Sequence, residues 1–341
     1  MTKADKDKTG IMTEGQREAP DFSAVLCREA VRAPERAEEY GRYRGLIALD
    51  MDGTWLRDDK TVSPAMRLAT RQARERGFLV IPATGRPIGG LTMEVMKEPG
   101  IGYAVSANGA AGYRIIDYPS GNWQQIFLKR VPEEQADRVI GICRKYDLDT
   151  DCFVGGIGHL SGYSKEKLKT YGYPEGLCRY ILESRDSVED LFTYYEEHRT
   201  EVEKIMIHIG ITPERKKLRP VVEKELEQIG GLSIVCGGVG NFEITAADAT
   251  KGRGITRLAD YLGIPREHIM ACGDEENDLD MIRSAAFGVA MGNAPGSVRR
   301  EADYVTETNE NDGAALAIGV FVEKVLKEEL TGGDLTEDGR K

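Results

Sequence analysis

Histidine and cysteine are scarce in this chain of 341 residues, which contains four histidines and six cysteines. The histidines show no metal-ligand spacing, and the cysteines are scattered without C-x-x-C pairs. The sequence therefore argues against a zinc site built from these residues. It favours buried or incidental thiols in a reducing cytosol over a disulfide framework.

Long apolar runs are also missing. A membrane-spanning helix needs about 20 consecutive apolar residues, and no run approaches that length. No signal-peptide pattern opens the chain. Apolar content of 40% and charged content of 30% are typical of a soluble globular protein. We therefore expect a cytoplasmic protein that does not bind membranes.

Basic residues are outnumbered by acidic ones. The chain has 46 lysines and arginines against 57 aspartates and glutamates, which gives a net charge of −11. A negative field opposes binding to nucleic acids and to anionic membranes. An anionic small molecule would need locally concentrated cations or a metal.

Two aspartates follow directly after a short apolar run. Leu46–Leu49 reads as a buried parallel strand, and Asp50-Met51-Asp52-Gly53-Thr54 comes next. Open α/β sheets bind ligands at the carboxyl ends of their strands. There, one carboxylate can attack an electrophile and hold a metal, while the other can shuttle a proton. Taken alone, the motif also fits an ordinary acidic Asp-Gly turn.

A second apolar run, Phe78–Ala83, ends in Thr84-Gly85-Arg86-Pro87. A hydroxyl and the following backbone N–H at a strand end make a neutral cradle for an anion. A capped helix start explains Thr84 equally well when it is taken singly.

A third run, Ile269–Cys272, leads into Gly273-Asp274-Glu275-Glu276-Asn277-Asp278. Helical spacing after Asp274 would put Asp274 and Asp278 on one face. Hard divalent cations prefer such oxygen ligands, and magnesium takes few carboxylates and retains waters. A solvated acidic helix cap is the alternative.

Lys251 comes just before the amphipathic stretch Ile255–Leu262, at the start of a predicted helix. The helix dipole disfavours cations at a helix start, so a lysine kept there suggests an anionic partner. The alternative is a lysine that is merely solvated.

In order, the motifs DMDGT at Asp50, ATGR at Ala83, ATKG at Ala249 and GDEENDLDMI at Gly273 resemble the haloacid dehalogenase-like phosphatases. The third and fourth look like the Cof-type branch of that superfamily. SANGA at Ser106 and AMGNAP at Ala290 are minor matches, and the resemblance covers residues 45–325. Trp55 departs from the pattern, because the family usually has an aliphatic residue there.

The resemblance implies an α/β fold with a Rossmann-like parallel-sheet core and an inserted α+β cap. The mixed order of helices and strands between about 132 and 240 favours the same inserted domain. We predict a flexible polar extension, a split core, a cap and a polar tail. The extension is 1–43, the core is 44–130 with 243–327, the cap is 131–242, and the tail is 328–341.

The resemblance also implies roles for the site residues. Asp50 would be the nucleophile and Asp52 the acid–base, with Mg²⁺ held by Asp50, the backbone carbonyl of Asp52, and Asp274. The phosphate-binding groups would be Thr84, Gly85, Lys251 and Asn277.

The resemblance leaves the roles of three further residues open. Asp278 would either orient the metal, its waters or Lys251, or ligate the metal itself. Arg86 and Asn108 are candidate substrate contacts, although Asn108 also fits an Asn-Gly turn. We expect Asp50, Thr84, Lys251 and Asp274 to face one crevice.

The function implied is a magnesium-dependent phosphatase acting on a small phosphorylated metabolite, such as a sugar phosphate or similar monoester, through an aspartyl phosphate. A carboxylate at Asp52 separates this function from dehalogenation and from ion pumping. A hexose phosphomutase or related sugar-phosphate-specific hydrolase remains an alternative, as does a ligand-binding regulator without turnover. The sequence assigns no oligomeric state.

Overall fold

The computed structural model describes residues 37–118, 120–237 and 240–333. Most of the helix predicted around Phe22–Glu39, and residues 334–341 of the predicted tail, lie outside these ranges. The chain divides into two compact units. The first unit is Met1–Ile81 with Thr256–Lys341, and the second unit is Pro82–Ile255.

The described strands follow one another along the chain in this order: β1 (Gly45–Leu49), β2 (Phe78–Pro82), β3 (Tyr103–Ser106), β4 (Ala111–Asp117), β5 (Asn122–Leu128), β6 (Asp149–Val154), β7 (Ile157–Ser161), β8 (Arg185–Val188), β9 (Val202–His208), β10 (Leu232–Gly237), β11 (Asn241–Ala246), β12 (Ile269–Gly273), β13 (Phe287–Ala290) and β14 (Tyr304–Val305).

The described α-helices are α1 (Pro64–Glu75), α2 (Met93–Met96), α3 (Glu133–Lys145), α4 (Gly162–Leu168), α5 (Glu175–Ser184), α6 (Leu191–His198), α7 (Pro213–Glu227), α8 (Lys251–Leu262), α9 (Leu279–Ser284), α10 (Gly296–Arg299) and α11 (Gly313–Gly333).

The first unit is built on a five-stranded sheet with the order β14-β13-β12-β1-β2. β1 pairs in parallel with β12, which pairs in parallel with β13. Every residue of β1 and β12 is buried, as expected for strands covered on both faces. Leu49 lies opposite Cys272, so both strands end at the same edge of the sheet. The predicted α/β class with a parallel-sheet core is confirmed.

Helix α1 of the first unit begins where the sequence places its capping residues. The Ser63 hydroxyl accepts a hydrogen bond from the Met66 N–H at 3.0 Å, and Pro64 occupies the first helical position. Both features satisfy or remove N–H groups that a helix start leaves without partners. The start of the helix is therefore determined locally.

The second unit contains a six-stranded sheet, β10-β11-β9-β6-β7-β8, and a three-stranded sheet, β3-β4-β5. In the larger sheet β7 and β8 pair in parallel, and the other neighbours are antiparallel. Helices α3 and α7 pack on one face of it through a shared apolar core. This is the α+β character that was predicted for the inserted cap.

The predicted cap, 131–242, lies wholly inside the second unit, which also contains residues 82–130 and 243–255. The predicted helix 133–146 is observed as Glu133–Lys145, and the predicted helix 213–228 as Pro213–Glu227. The exact domain bounds stay a prediction.

The ends of the described chain belong to the first unit. Tyr40, which lies inside the predicted extension, packs its ring against Gly263. A Cβ on Gly263 would lie 2.7 Å from two atoms of that ring. Helix α11 continues to Gly333, through residues 328–333 of the predicted tail. None of the described helices is long and apolar enough to cross a membrane.

Candidate active site

Three carboxylates of the first unit lie close together. Asp50, Asp274 and Asp278 each offer an oxygen within 4.8 Å of the others. Asp50 follows β1 and Asp274 follows β12, and the Asp50 N–H donates to the carbonyl of Cys272 at 2.9 Å. The pairing of two parallel strands therefore brings the first and fourth motifs together.

Asp274 is held by two neutral side chains. Thr54 Oγ1 donates to Asp274 Oδ1 at 2.9 Å. Asn293 Nδ2 donates to Asp274 Oδ2 at 3.3 Å and to the carbonyl of Gly53 at 2.9 Å. These bonds fix the direction in which the carboxylate points.

Gly53 is required for this arrangement. Its φ is +77°, a left-handed conformation that favours glycine, and a Cβ there would lie 2.2 Å from Asp274 Oδ2. The glycine of DMDGT therefore lets the turn close against the neighbouring carboxylate.

Asp278 reaches the cluster by a different route from the one predicted. Asp274 precedes the short 3₁₀ turn Glu276–Asp278, and α9 begins only at Leu279. Asp278 is fully buried, and its Oδ2 accepts the N–H groups of Asp274 at 2.9 Å and Glu275 at 3.0 Å. The two carboxylates lie together as expected, but a carboxylate-capped 3₁₀ turn joins them and not α-helical spacing.

Asp52 lies two residues beyond Asp50 and is more exposed. Its Oδ1 accepts a hydrogen bond from Lys60 Nζ at 2.8 Å, in an ion pair whose side chains are 43% and 57% exposed. Such an exposed pair contributes little to stability. It nevertheless places a cation beside the predicted acid–base.

Asn277 carries a buried acceptor. Among the residues that the structure describes, no hydrogen-bond donor reaches Asn277 Oδ1. Buried polar atoms normally have a partner, which can be water or a ligand. The three carboxylates are hard oxygen donors of the kind that suits a divalent cation. Three carboxylates this close also repel one another unless a positive charge compensates them. The donor set of the first unit therefore fits a divalent metal.

In the second unit, two loops are joined by backbone hydrogen bonds. We call Thr84-Gly85-Arg86 the Thr84 loop and Ala107-Asn108-Gly109 the Asn108 loop. The Asn108 N–H donates to the Thr84 carbonyl at 3.1 Å, and the Ala107 N–H donates to the Arg86 carbonyl at 3.0 Å. The Thr84 hydroxyl accepts the Arg86 N–H at 3.2 Å.

The Asn108 loop is left-handed at three successive residues, with φ of 50°, 56° and 91°. A Cβ on Gly109 would lie 1.9 Å from the carbonyl oxygen of Thr250, just before α8. Only a glycine permits this approach. The loop is therefore packed against the start of α8 and is more than a surface Asn-Gly turn.

Lys251, the first residue of α8, is only 2% exposed. The alternative of a solvated lysine is therefore wrong. Burial raises the pKa of Glu243, but the charge and hydrogen bond of Lys204, the Asn108 amide and the Lys251 charge together bring it below its usual value. Lys251 thus lies within electrostatic reach of a buried carboxylate.

Arg86 stacks on Tyr180 of α5, with its guanidinium carbon 4.4 Å from the ring centroid. Its Nη1 donates to the carbonyl of Gly90 at 3.3 Å. Asn108 donates through Nδ2 to Glu243 at 2.8 Å. The predicted substrate contacts of Arg86 and Asn108 stay predictions.

The predicted site residues thus form one group in each unit, and the expectation of one shared crevice stays a prediction. Sequence reasoning missed Asn293, Lys60 and Glu243. AMGNAP was noted as a minor match, and its asparagine is Asn293. No local pattern marks Lys60 or Glu243, since each acts through a partner elsewhere in the chain.

Comparison with known proteins gives a family match over most of the chain. A family model described as haloacid dehalogenase-like hydrolase matches residues 47–318, which include every predicted site residue.

Two curated relatives from Bacillus subtilis match over nearly their whole length. The 5-amino-6-(5-phospho-D-ribitylamino)uracil phosphatase YcsE is 28% identical, and the match covers 81% of this chain and 95% of that protein. The phosphatase YwpJ is 30% identical, with coverage of 79% and 97%. Among solved structures, a haloacid dehalogenase-like hydrolase from Bacteroides thetaiotaomicron has a TM-score of 0.65 and 27% identity, and covers 81% of this chain and 98% of that one.

Proposed function

Because the chain belongs to the haloacid dehalogenase-like hydrolases and to their Cof-type branch, we propose that it is a Mg²⁺-dependent phosphatase that hydrolyses a small phosphorylated metabolite through an aspartyl phosphate. Its assignment as a phosphatase rests on relatives that are named phosphatases and that match about four-fifths of the chain. The observation that carries the mechanism is the cluster of Asp50, Asp274 and Asp278 at the ends of adjoining parallel strands.

In the proposed first step, an oxygen of Asp50 attacks the phosphorus atom, and the bond from phosphorus to the leaving oxygen breaks. Asp52 gives its proton to the leaving alkoxide. In the second step, Asp52 takes a proton from water, and that water attacks the phosphorus of the aspartyl phosphate. Inorganic phosphate leaves and the Asp50 carboxylate is restored.

We assign the metal to Asp50, the backbone carbonyl of Asp52, and Asp274. When bound, Mg²⁺ would neutralise charge between the attacking carboxylate and the phosphoryl group. Thr54 and Asn293 would keep Asp274 directed at the metal. Of the two roles considered for Asp278, we favour the orienting one, because one of its oxygens already accepts two N–H groups.

The remaining phosphoryl oxygens would be bound by the Thr84 hydroxyl, the Gly85 N–H, Lys251 and Asn277. Donors fixed in advance stabilise the charge that develops in phosphoryl transfer. The buried position of Lys251 supports this role, because a cation shielded from water interacts more strongly with an anion.

For the substrate we propose a sugar phosphate or a similar monoester. The name of YcsE refers to a phosphorylated ribityl compound, which supports a small polyol or sugar phosphate as the chemical class. The intact acidic cluster argues against a regulator that has lost turnover.

The test is release of phosphate from an aryl phosphate and from a panel of sugar phosphates, nucleotides and cofactor phosphates. We expect release with Mg²⁺ and none with a chelator. A folded protein that releases no phosphate from any of them would contradict the proposal and favour a ligand-binding regulator. Interconversion of sugar phosphates after addition of a bisphosphate would show a mutase instead.

A further inference from the structure

Lys204 on β9 and Glu243 on β11 form an ion pair in the second unit, in which the lysine is buried and the glutamate side chain is 19% exposed. Lys204 Nζ lies 2.7 Å from Glu243 Oε2, and the lysine side chain is 1% exposed. An ion pair removed from water costs desolvation energy, which only good geometry and further hydrogen bonds offset. The further bonds of this pair therefore show what it holds in place.

The pair lies on the sheet face that carries the loops. Ile205 and Ile207 of β9 join the apolar core beneath helices α3 and α7. Their neighbour Met206 faces the other way, and packs with Ala107 of the Asn108 loop and Ala249 before α8. Because strand residues alternate in direction, Lys204 shares the face of Met206.

Lys204 also holds the Thr84 loop directly. Its Nζ donates to the carbonyl of Gly85 at 2.7 Å. That carbonyl belongs to the same planar peptide group as the Arg86 N–H. The Arg86 N–H in turn donates to the Thr84 hydroxyl at 3.2 Å. Lys204 therefore sets the orientation of a peptide that orients the hydroxyl of Thr84.

Glu243 contacts both Lys204 and the Asn108 loop. It accepts hydrogen bonds from Lys204 and, at 2.8 Å, from Asn108 Nδ2. The charge of Lys251 acts on it as well, and its pKa lies below the usual value despite burial. A Cβ on Gly85 would lie 2.7 Å from Asn108 Oδ1, so the cluster also leaves no room for a side chain at Gly85. The ionised carboxylate of Glu243 thus feels the charges of both Lys204 and Lys251.

We propose that Lys204 and Glu243 are positioning residues for the phosphoryl group of the substrate. They keep the Thr84 loop and Lys251 in the arrangement that binds a phosphate dianion, without touching that anion themselves. This inference rests on the proposed function, because it assigns the pair a task in the same phosphate site.

The principal variant is Lys204→Met, which keeps the length of the side chain and removes its charge. The measurements are kcat and KM for an aryl phosphate and the inhibition constant of inorganic phosphate. We expect kcat/KM to fall and the inhibition constant to rise, each by about 10- to 100-fold, the range typical of residues that orient a binding group. Lys204→Arg should restore part of both, since it supplies a cation and N–H donors.

Leu226→Ala is the matched control for a loss of stability. Leu226 is fully buried in the helix-side core of the same unit and is absent from the loop contacts above. We expect it to lower the melting temperature and to leave the inhibition constant of phosphate unchanged. The proposal is overturned if Lys204→Met behaves like Leu226→Ala. In that case the melting temperature falls, while kcat/KM and the inhibition constant of phosphate do not change.

Amide hydrogen exchange separates this inference from the proposed function. In Lys204→Met, the amides of Arg86, Ala107 and Asn108 should exchange faster than in the wild type and in Leu226→Ala. Unchanged exchange at these amides contradicts the positioning role even if the enzyme is active. If the wild-type protein hydrolyses no phosphate ester but these amides still exchange faster in Lys204→Met, the positioning role stands. Only the proposed function is then refuted.

Discussion

The two groups of site residues balance their charges in opposite ways. In the first unit, three carboxylates lie together and the neutral donors Thr54 and Asn293 hold one of them. In the second unit, the buried lysines Lys204 and Lys251 both act on the carboxylate of Glu243. The first group offers carboxylate oxygens of the kind that suits a cation, and the second offers lysine cations of the kind that suits an anion. A metal-dependent phosphatase needs both.

The two groups also differ in how they are built. The acidic group comes from the ends of neighbouring parallel strands, with a short capped turn at Asp278. The other group needs a left-handed loop, a close approach at Gly109 and an ion pair. The acidic group depends on one left-handed glycine, Gly53, whereas the other group depends on three successive left-handed residues and an ion pair.

The largest effect should come from Asp50→Asn. The amide is a poor nucleophile and a weak metal ligand, so turnover should fall by at least about 10³-fold. Phosphate release under saturating Mg²⁺ measures it. Asp260→Asn, an exposed aspartate paired with Arg266, is the control and should keep full activity. Wild-type turnover in a purified Asp50→Asn protein would remove Asp50 from the mechanism.

A smaller effect is expected from Asn293→Ala, which tests whether neutral donors organise the acidic group. Without this amide, Asp274 loses a hydrogen bond that orients it. The concentration of Mg²⁺ that gives half-maximal activity should rise by about 10-fold or more, with a smaller change in kcat. A Mg²⁺ titration identical to that of the wild type would show that Asn293 does not organise the site.

The smallest effect concerns a buried carboxylate of the second unit that is not paired with a lysine. Glu203, next to Lys204 on β9, accepts hydrogen bonds from Tyr113, Gln125 and the Gly156 N–H, all neutral. Burial raises its pKa from 4.5 to about 7. The pKa of Glu243 is shifted in the opposite direction, to below its usual value. The difference shows that a buried lysine stabilises the ionised form of a neighbouring carboxylate.

The raised pKa of Glu203 predicts a pH dependence of stability. As pH rises above 4.5 the unfolded chain releases this proton while the folded protein keeps it, so the contribution to stability is lost between pH 4.5 and about 7. Glu203→Gln cannot ionise. Its melting temperature should therefore decline less than that of the wild type between pH 5 and about 7.5. Parallel melting curves across that range would show that Glu203 does not titrate there.

The parts of the site that the sequence predicts correctly are local. An apolar run followed by Asp50 or by Asp274 marks both a buried strand and the carboxylate at its end. The helices predicted at 133–146 and 213–228 differ from the observed ones by one residue at their ends, because local propensity and caps determine helix limits. These features need no knowledge of distant contacts.

The parts that escaped prediction depend on distant contacts. Glu243 has a role only because β9 and β11 are neighbours, which local composition does not show. Asp278 was assigned to a helix face by its spacing, yet its carboxylate turned out to cap the turn that carries Asp274. Trp55 departs from the family pattern, but its ring is 2% exposed and simply belongs to the core of the first unit.

Phosphorylation of Asp50 is tested most directly in the Asp52→Asn variant, quenched in acid after mixing with an aryl phosphate and Mg²⁺. An aryl leaving group needs little protonation, but an asparagine cannot activate the water of the second step. We predict a burst of one equivalent of aryl alcohol, no further turnover, and a phosphoryl adduct that mass spectrometry locates on Asp50. Steady turnover, or a burst without an adduct on Asp50, would contradict the covalent mechanism.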